Sequence, residues 1–307
     1  MKLEQWCKKV ENIRVSLNKQ YYNMNVGLKY SKSRIAELEK LNSNYASLFL
    51  KHFNKPKEIY YESIVAQNSN KFSKLFLKLT EIRKNNICIK KIKYKNDNVN
   101  WNNWRQFAAF SDDISRKKVF DDFIEKTKYA TPIVNESTKL YRKLYKKNKV
   151  NILEPYLYNH KIELKELKNI LHELGSSLKR KFTKQFDYYS TEINGRPGEY
   201  YDDYYYMKNA VFKNLNINVK TDIIASFKKL SKDLGFSLNK IHIDTVDRKN
   251  KYSSPFCFPV KIPEDVRVSF KAEKSIYDFN NLYHELGHAL HFSNIKKELP
   301  FWKKYYC

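Results

Sequence analysis

Tyr283-His284-Glu285-Leu286-Gly287-His288-Ala289-Leu290-His291 reads H-E-x-x-H, with histidines at i and i+4. On a helix that spacing puts two imidazoles one turn apart on the same face. They can hold one zinc ion there, and the glutamate next to the first histidine can reach an attacking water. Ser275 and Asp278 form a Ser-x-x-Asp start signal ahead of the motif. Phe279, Leu282, Leu286 and Leu290 recur at three- and four-residue steps and predict an apolar stripe behind the histidines. His291 lies one turn beyond His288 on roughly the same face. A half copy of the motif, Leu171-His172-Glu173-Leu174-Gly175-Ser176, has serine where the second histidine would stand. It reads as an ordinary helical segment.

Working outward, Asp265 to Phe270 alternates like a half-buried strand. Before it come a Pro- and Phe-rich stretch, Ser254 to Val260, and a short strand, Ile241 to Asp244. This order of strand, loop, strand and HELGHALH resembles the zinc peptidases of the thimet oligopeptidase and oligoendopeptidase F family. The resemblance runs from Thr221 to Trp302, is most specific over Tyr252 to Phe292, and is faint before Asn194. The Taq-type carboxypeptidases are similar here too, with a D-V-R strand ahead of the motif.

The resemblance implies a mainly α, zincin-type peptidase fold with a small β-sheet beside the H-E-x-x-H helix. It implies one Zn2+ on His284 and His288, Glu285 as general base, and hydrolysis of peptide bonds in oligopeptides. In the family the Asp265 to Phe270 strand would run along the substrate as an edge, so Arg267, Ser269 and His291 are the candidate substrate contacts. The family's third ligand is a glutamate on a later helix, and no residue up to Cys307 matches it. Asn294 stands where a metzincin would have its third histidine, and Glu298 lies too close to His288. The expectation is a catalytic region incomplete at its C-terminus, its remaining part either following these residues or supplied by a complementary C-terminal chain. Its unpacked face is expected around Leu290, Leu299, Phe301 and Trp302. A second reading is a degenerate, non-catalytic scaffold that binds peptides or proteins. A third is a basic, nucleic-acid-associated helical protein carrying the motif by accident.

The 307 residues can bury a large core, and 6 glycines and 8 prolines favour long helices over a turn-rich β fold. A net charge of +26 suits nucleic acid, anionic membranes or acidic peptides. The basic residues are scattered, however, as in Lys117-Lys118 and Lys179-Arg180-Lys181, and no nucleic-acid motif accompanies them. The charge is therefore read as compositional drift, with no specific nucleic-acid or membrane partner. Cys7, Cys88, Cys257 and Cys307 have no metal or redox spacing and read as free thiols in a reducing compartment. With no apolar signal core at Met1 to Trp6, a cytoplasmic location is expected.

Along the chain, periodicity predicts two helices within Lys2 to Leu50, one over Asn70 to Arg83, and a short strand or crossing at Ile87 to Tyr94. Helical spacing returns at Trp101 to Phe110 and at Asp113 to Lys147, broken near Thr131-Pro132. Further helices are expected over Lys161 to Tyr189 and from Thr221 to Leu234, the latter stopped by Gly235. The run Tyr200 to Tyr206 either packs a helix or lines a peptide cleft. An N-terminal helical region, 1–150, and a motif-bearing region, 151–307, are expected within one continuous catalytic domain.

Overall fold

In the computed structural model, the described residues are 2–305 except 54, 86–87, 95–96, 102, 208, 210–221, 249–250, 253 and 271–275. The helical start signal at Ser275 therefore lies outside them. The elements in order are helices α1 (Leu3–Asn25), α2 (Lys32–His52), α3 (Lys57–Ala66) and α4 (Ser69–Asn85), then strands β1 (Cys88–Tyr94) and β2 (Asp97–Asn100). Next come α5 (Trp104–Phe110), α6 (Asp113–Thr127), a 3-10 turn, α7 (Thr131–Lys147), α8 (Glu154–His160), α9 (Leu164–Asn194) and α10 (Asp203–Tyr206). The chain continues through α11 (Ile223–Asp233), strands β3 (Ile241–Asp244), β4 (Phe256–Lys261) and β5 (Asp265–Ser269), and helices α12 (Ile276–Ser293) and α13 (Phe301–Lys304). The architecture is mainly α with small sheets. No described helix is long and apolar enough to cross a membrane.

Two compact units emerge. One unit joins Met1–Lys74 to Ile217–Cys307, and the other is Leu75–Asn216. The first unit is discontinuous because its core is built from both ends of the chain. Trp6 and Val10 of α1, Phe49 of α2 and Ile59 of α3 bury against Phe301 of α13. Each such burial stabilises by about 1.5–3 kcal/mol. Phe301 is only 3% exposed, and Trp302 packs against the same cluster. The apolar face expected to lie open at Phe301 and Trp302 is thus covered by the N-terminal helices. Ser31 starts α2 by accepting a 3.1 Å bond from the Arg34 N–H, a cap worth about 1 kcal/mol.

A three-stranded sheet, ordered β3–β5–β4, sits in the same unit, with β3 parallel and β4 antiparallel to β5. Two expectations are corrected here. Phe256 to Lys261 is a strand rather than a loop, and Asp265 to Ser269 has no free edge, since it is the central strand paired on both sides. Val266, Val268 and Phe270 bury against Leu282, Leu286 and Ala289 of α12 on one face of the sheet. On the other, Phe256, Phe258 and Val260 meet Tyr22 and Val26 at the end of α1.

The other unit has its core at Val99, Trp104, Phe107, Val119 and Phe123. Arg116, 1% exposed, gives Asp202, 0% exposed, two hydrogen bonds of 3.1 and 3.0 Å from Nε and Nη2. It also donates to the Ser111 carbonyl (2.6 Å) and to Asn194 (3.2 Å). Arg196 bonds the other Asp202 oxygen at 2.8 Å and also Asp113. This network pins the turn after α9, where Gly195 takes φ 71°. Two residues of the tyrosine run pack within this unit. Tyr205 lies under the Arg116 guanidinium at 3.8 Å, and Tyr204 meets the Trp104 ring edge-on.

Candidate metal centre

Helix α12 is oriented by its buried side. Leu282, Leu286 and Ala289 are fully buried, at steps of four and three, which turns His284 and His288 outward to solvent. Three further contacts fix the helix. Tyr283 and Ser226 hydroxyls lie 2.9 Å apart, the Tyr283 ring meets Phe227 edge-on, and Lys240 Nζ donates to the Ser293 carbonyl at 3.3 Å. The partner helix α11 is itself well bounded. Asp222 caps its start by accepting from Ile224 and Ala225 N–H, and Gly235 follows its end at φ 79°.

Buried Lys251 holds the strand ends next to α12. Its Nζ donates to the carbonyls of Asp244 at the end of β3 (2.7 Å), Val246 (3.1 Å) and Phe270 just after β5 (3.2 Å). A carboxylate of Asp244 lies 3.3 Å away and neutralises it. Burial lowers the Lys251 pKa, opposed by the charge of Asp244.

The two imidazoles converge. Their Nε2 atoms are 3.1 Å apart, and the ring planes stand at 87°. Two nitrogens on a tetrahedral zinc ion, each at 2.0–2.1 Å, would stand about 3.3–3.4 Å apart. The pair therefore fits the bite of one ion with a small adjustment. A Cβ on Gly287 would meet nothing within 4 Å, so the surface beside the pair is open.

Glu285 points toward the sheet. Its Oε2 accepts a 2.7 Å hydrogen bond from the backbone N–H of Cys257 in β4. That N–H leaves the ladder, so Cys257 and its opposite residue Val268 form a non-hydrogen-bonded pair. Pro259, opposite Val266, has the same parity. Its missing N–H therefore costs no ladder bond, and its carbonyl accepts from Asn18 Nδ2 at 3.0 Å. The Cys257 thiol is pushed up to about 12 by burial and then by the Glu285 charge. Burial thus favours the protonated thiol.

His284 and His288 are thus brought together, with Glu285 on the same helix turned to the Cys257 N–H, and the other three candidates do not join them. Arg267 and Ser269 alternate onto the α1 face of β5, opposite α12, where the Arg267 guanidinium lies 4.9 Å from the Tyr22 ring centre and bonds Asp265. Ser269 is fully buried. His291 is exposed on α12 with its ring beside Phe292. Among the described residues no three His, Cys, Asp or Glu side chains group around one point, and Glu298 is exposed. The Cys257 N–H and Lys251 were missed by sequence reading. The single sequence signal for the former was a proline inside an otherwise strand-like apolar run.

No family model matches the sequence, and no curated protein matches it. Among solved structures the chain is similar to a protein of Bacillus anthracis str. Ames assigned as an oligoendopeptidase F, with a TM-score of 0.53 and 15% identity. The match covers 94% of this chain and 54% of that one. It is also similar to PZ peptidase A, solved with an inhibitor, with a TM-score of 0.54 and 14% identity over 94% and 52% of the two chains. The chain thus spans about half the length of these structures, and the likeness is one of fold.

Proposed function

We propose that this chain carries the two-histidine part of a zinc peptidase site acting on oligopeptides, to be completed by an acidic ligand from polypeptide outside the described residues. The carrying observation is the 3.1 Å convergence of His284 and His288 Nε2, with Glu285 beside them, on a helix that caps a small sheet. The fold likeness to two peptidase structures supports the same reading.

His284 and His288 would hold the ion through Nε2. Zinc held there supplies Lewis acidity toward a peptide carbonyl. Glu285 takes the proton from the attacking water and delivers it to the leaving amine. The Cys257 N–H orients the carboxylate for that task and steadies its charge. Since β5 is central, an extended substrate has only the outer edges of β3 and β4 to pair with. Of these, β4 is the one Glu285 reaches.

Two neutral imidazoles do not offset a dication, so residues 1–307 alone should bind zinc weakly and cleave peptides slowly or not at all. The test is a zinc titration and a quenched-peptide assay, with and without an added helical segment carrying a glutamate. Zinc binding that survives loss of both histidines would sink the reading. The degenerate-scaffold reading predicts that no added segment restores cleavage. The Taq-type carboxypeptidase reading predicts release of single C-terminal residues.

A further inference from the structure

The half motif at Leu171 to Ser176 lies in the middle of α9, on an exposed stretch of the unit Leu75–Asn216. Every residue from 168 to 185 is exposed, a stretch of about 27 Å at 1.5 Å per residue. Within it Leu171, Leu174 and Leu178 are 60%, 49% and 55% exposed. Leu167 continues the same line. A helix with such an apolar stripe in water is normally covered.

The spacing of these leucines is 4, 3 and 4, which reads the same in both directions. Two copies of α9 lying antiparallel therefore set Leu167 against Leu178 and Leu171 against Leu174, each pairing occurring twice. The flanks are complementary in the same register. Glu163 precedes the stripe and Lys184 follows it, on one flank of the helix, and antiparallel pairing joins like flanks, so Glu163 of each copy faces Lys184 of the other. Lys181 then lies beside Leu164. A parallel pair would instead bring Lys181 against its own copy inside the seam.

We propose that the exposed leucine seam of α9 is a self-association surface, on which a second copy of this chain docks antiparallel through α9. Each copy carries +26, and the resulting repulsion is screened within about 8 Å at 0.15 M salt. The seam is short, so the dimer should form at micromolar concentrations.

The experiment is light scattering and sedimentation equilibrium on the full chain at 0.15 M salt, from below 1 to about 200 μM. The expected result is a concentration-dependent doubling of mass. The double variant Leu171→Glu/Leu174→Glu should be monomeric throughout with an unchanged circular dichroism spectrum, because both side chains are exposed. Lys184→Glu should weaken the dimer about three- to tenfold, and adding Glu163→Lys should restore it. A wild-type chain that stays monomeric at 200 μM overturns the proposal, as does a dimer indifferent to the leucine variant. A dimer sensitive to the leucines but not rescued by the charge exchange overturns the antiparallel register.

Discussion

The carboxylate of Glu285 accepts a 2.7 Å hydrogen bond from the backbone N–H of Cys257, so the acidic residue of the motif is moored to the outer edge of β4. Glutamine keeps an acceptor oxygen at that position and alanine does not. Glu285→Gln should therefore leave amide exchange at Cys257 slow, whereas Glu285→Ala should speed it at least about tenfold, in line with the loss of a charge-assisted bond worth about 1.5–3 kcal/mol. Hydrogen exchange read by mass spectrometry or NMR checks this without any assay of activity. Slow exchange in the alanine variant would mean the amide has another partner.

His284→Ala and His288→Ala should each reduce zinc binding by at least about tenfold while shifting stability by no more than about 0.5 kcal/mol, because both rings are exposed. His291→Ala should leave zinc binding unchanged, since its ring lies beside Phe292. A competition titration with a chromophoric chelator, paired with thermal melts, separates the three. Equal loss in all three variants would contradict a two-histidine site at 284 and 288.

The buried pair in the other unit has a larger stake in stability. Arg116→Met removes the guanidinium that Asp202 faces at 0% exposure, and should destabilise that unit by about 3–5 kcal/mol. Arg196 still reaches Asp202 at 2.8 Å, so the loss should fall toward the lower end of that range. Asp202→Asn keeps an acceptor and should cost less. Urea denaturation followed by tryptophan fluorescence reports it, since Trp104 sits in the same core.

Alkaline pH should loosen the unit that carries α12. Burial pushes Cys257 and Tyr22 up to about 12, and Cys7 up to about 11. Raised values mean that the native state holds its protons longer than the unfolded chain. The associated stability is complete below the unfolded values, near 9 for the thiols and 10 for tyrosine, and is lost as pH rises from there to 11–12. Melting temperatures should be flat from pH 7 to about 8.5 and then fall, and alkylation of Cys257 should be negligible at pH 8, where burial keeps the thiol protonated. Rapid alkylation at pH 8 would show that the thiol is neither buried nor beside Glu285.

Much of this was legible in the sequence because it is local. The stripe Leu282, Leu286 and Leu290, the Asp222 cap and the Gly235 stop are all decided within a turn or two of helix. The break before Pro132 appears as the 3-10 turn at Lys128–Ala130, ahead of α7. Proline inside Phe256 to Lys261 masks the strand in the sequence, and only the pairing parity shows that Pro259 gives up nothing. Alternation in Asp265 to Ser269 revealed a strand but could not say that both neighbours were present. The packing of Phe301 on Trp6 was invisible for a similar reason, since the partners stand at opposite ends of the chain and share no local pattern. The third ligand is in neither the sequence motifs nor any described cluster.

The discontinuity of the first unit sets an order on synthesis. Leu75–Asn216 is one uninterrupted stretch and can collapse as soon as it has left the ribosome. Trp6, Phe49 and Ile59 emerge before it, yet their partner Phe301 arrives only after that whole stretch has been made. The N-terminal helices must therefore wait, with one apolar side uncovered, for the whole of the intervening stretch to be made. During that interval their apolar side is open to misassociation, and the metal helix can seat on its sheet only after Leu75–Asn216 has been made.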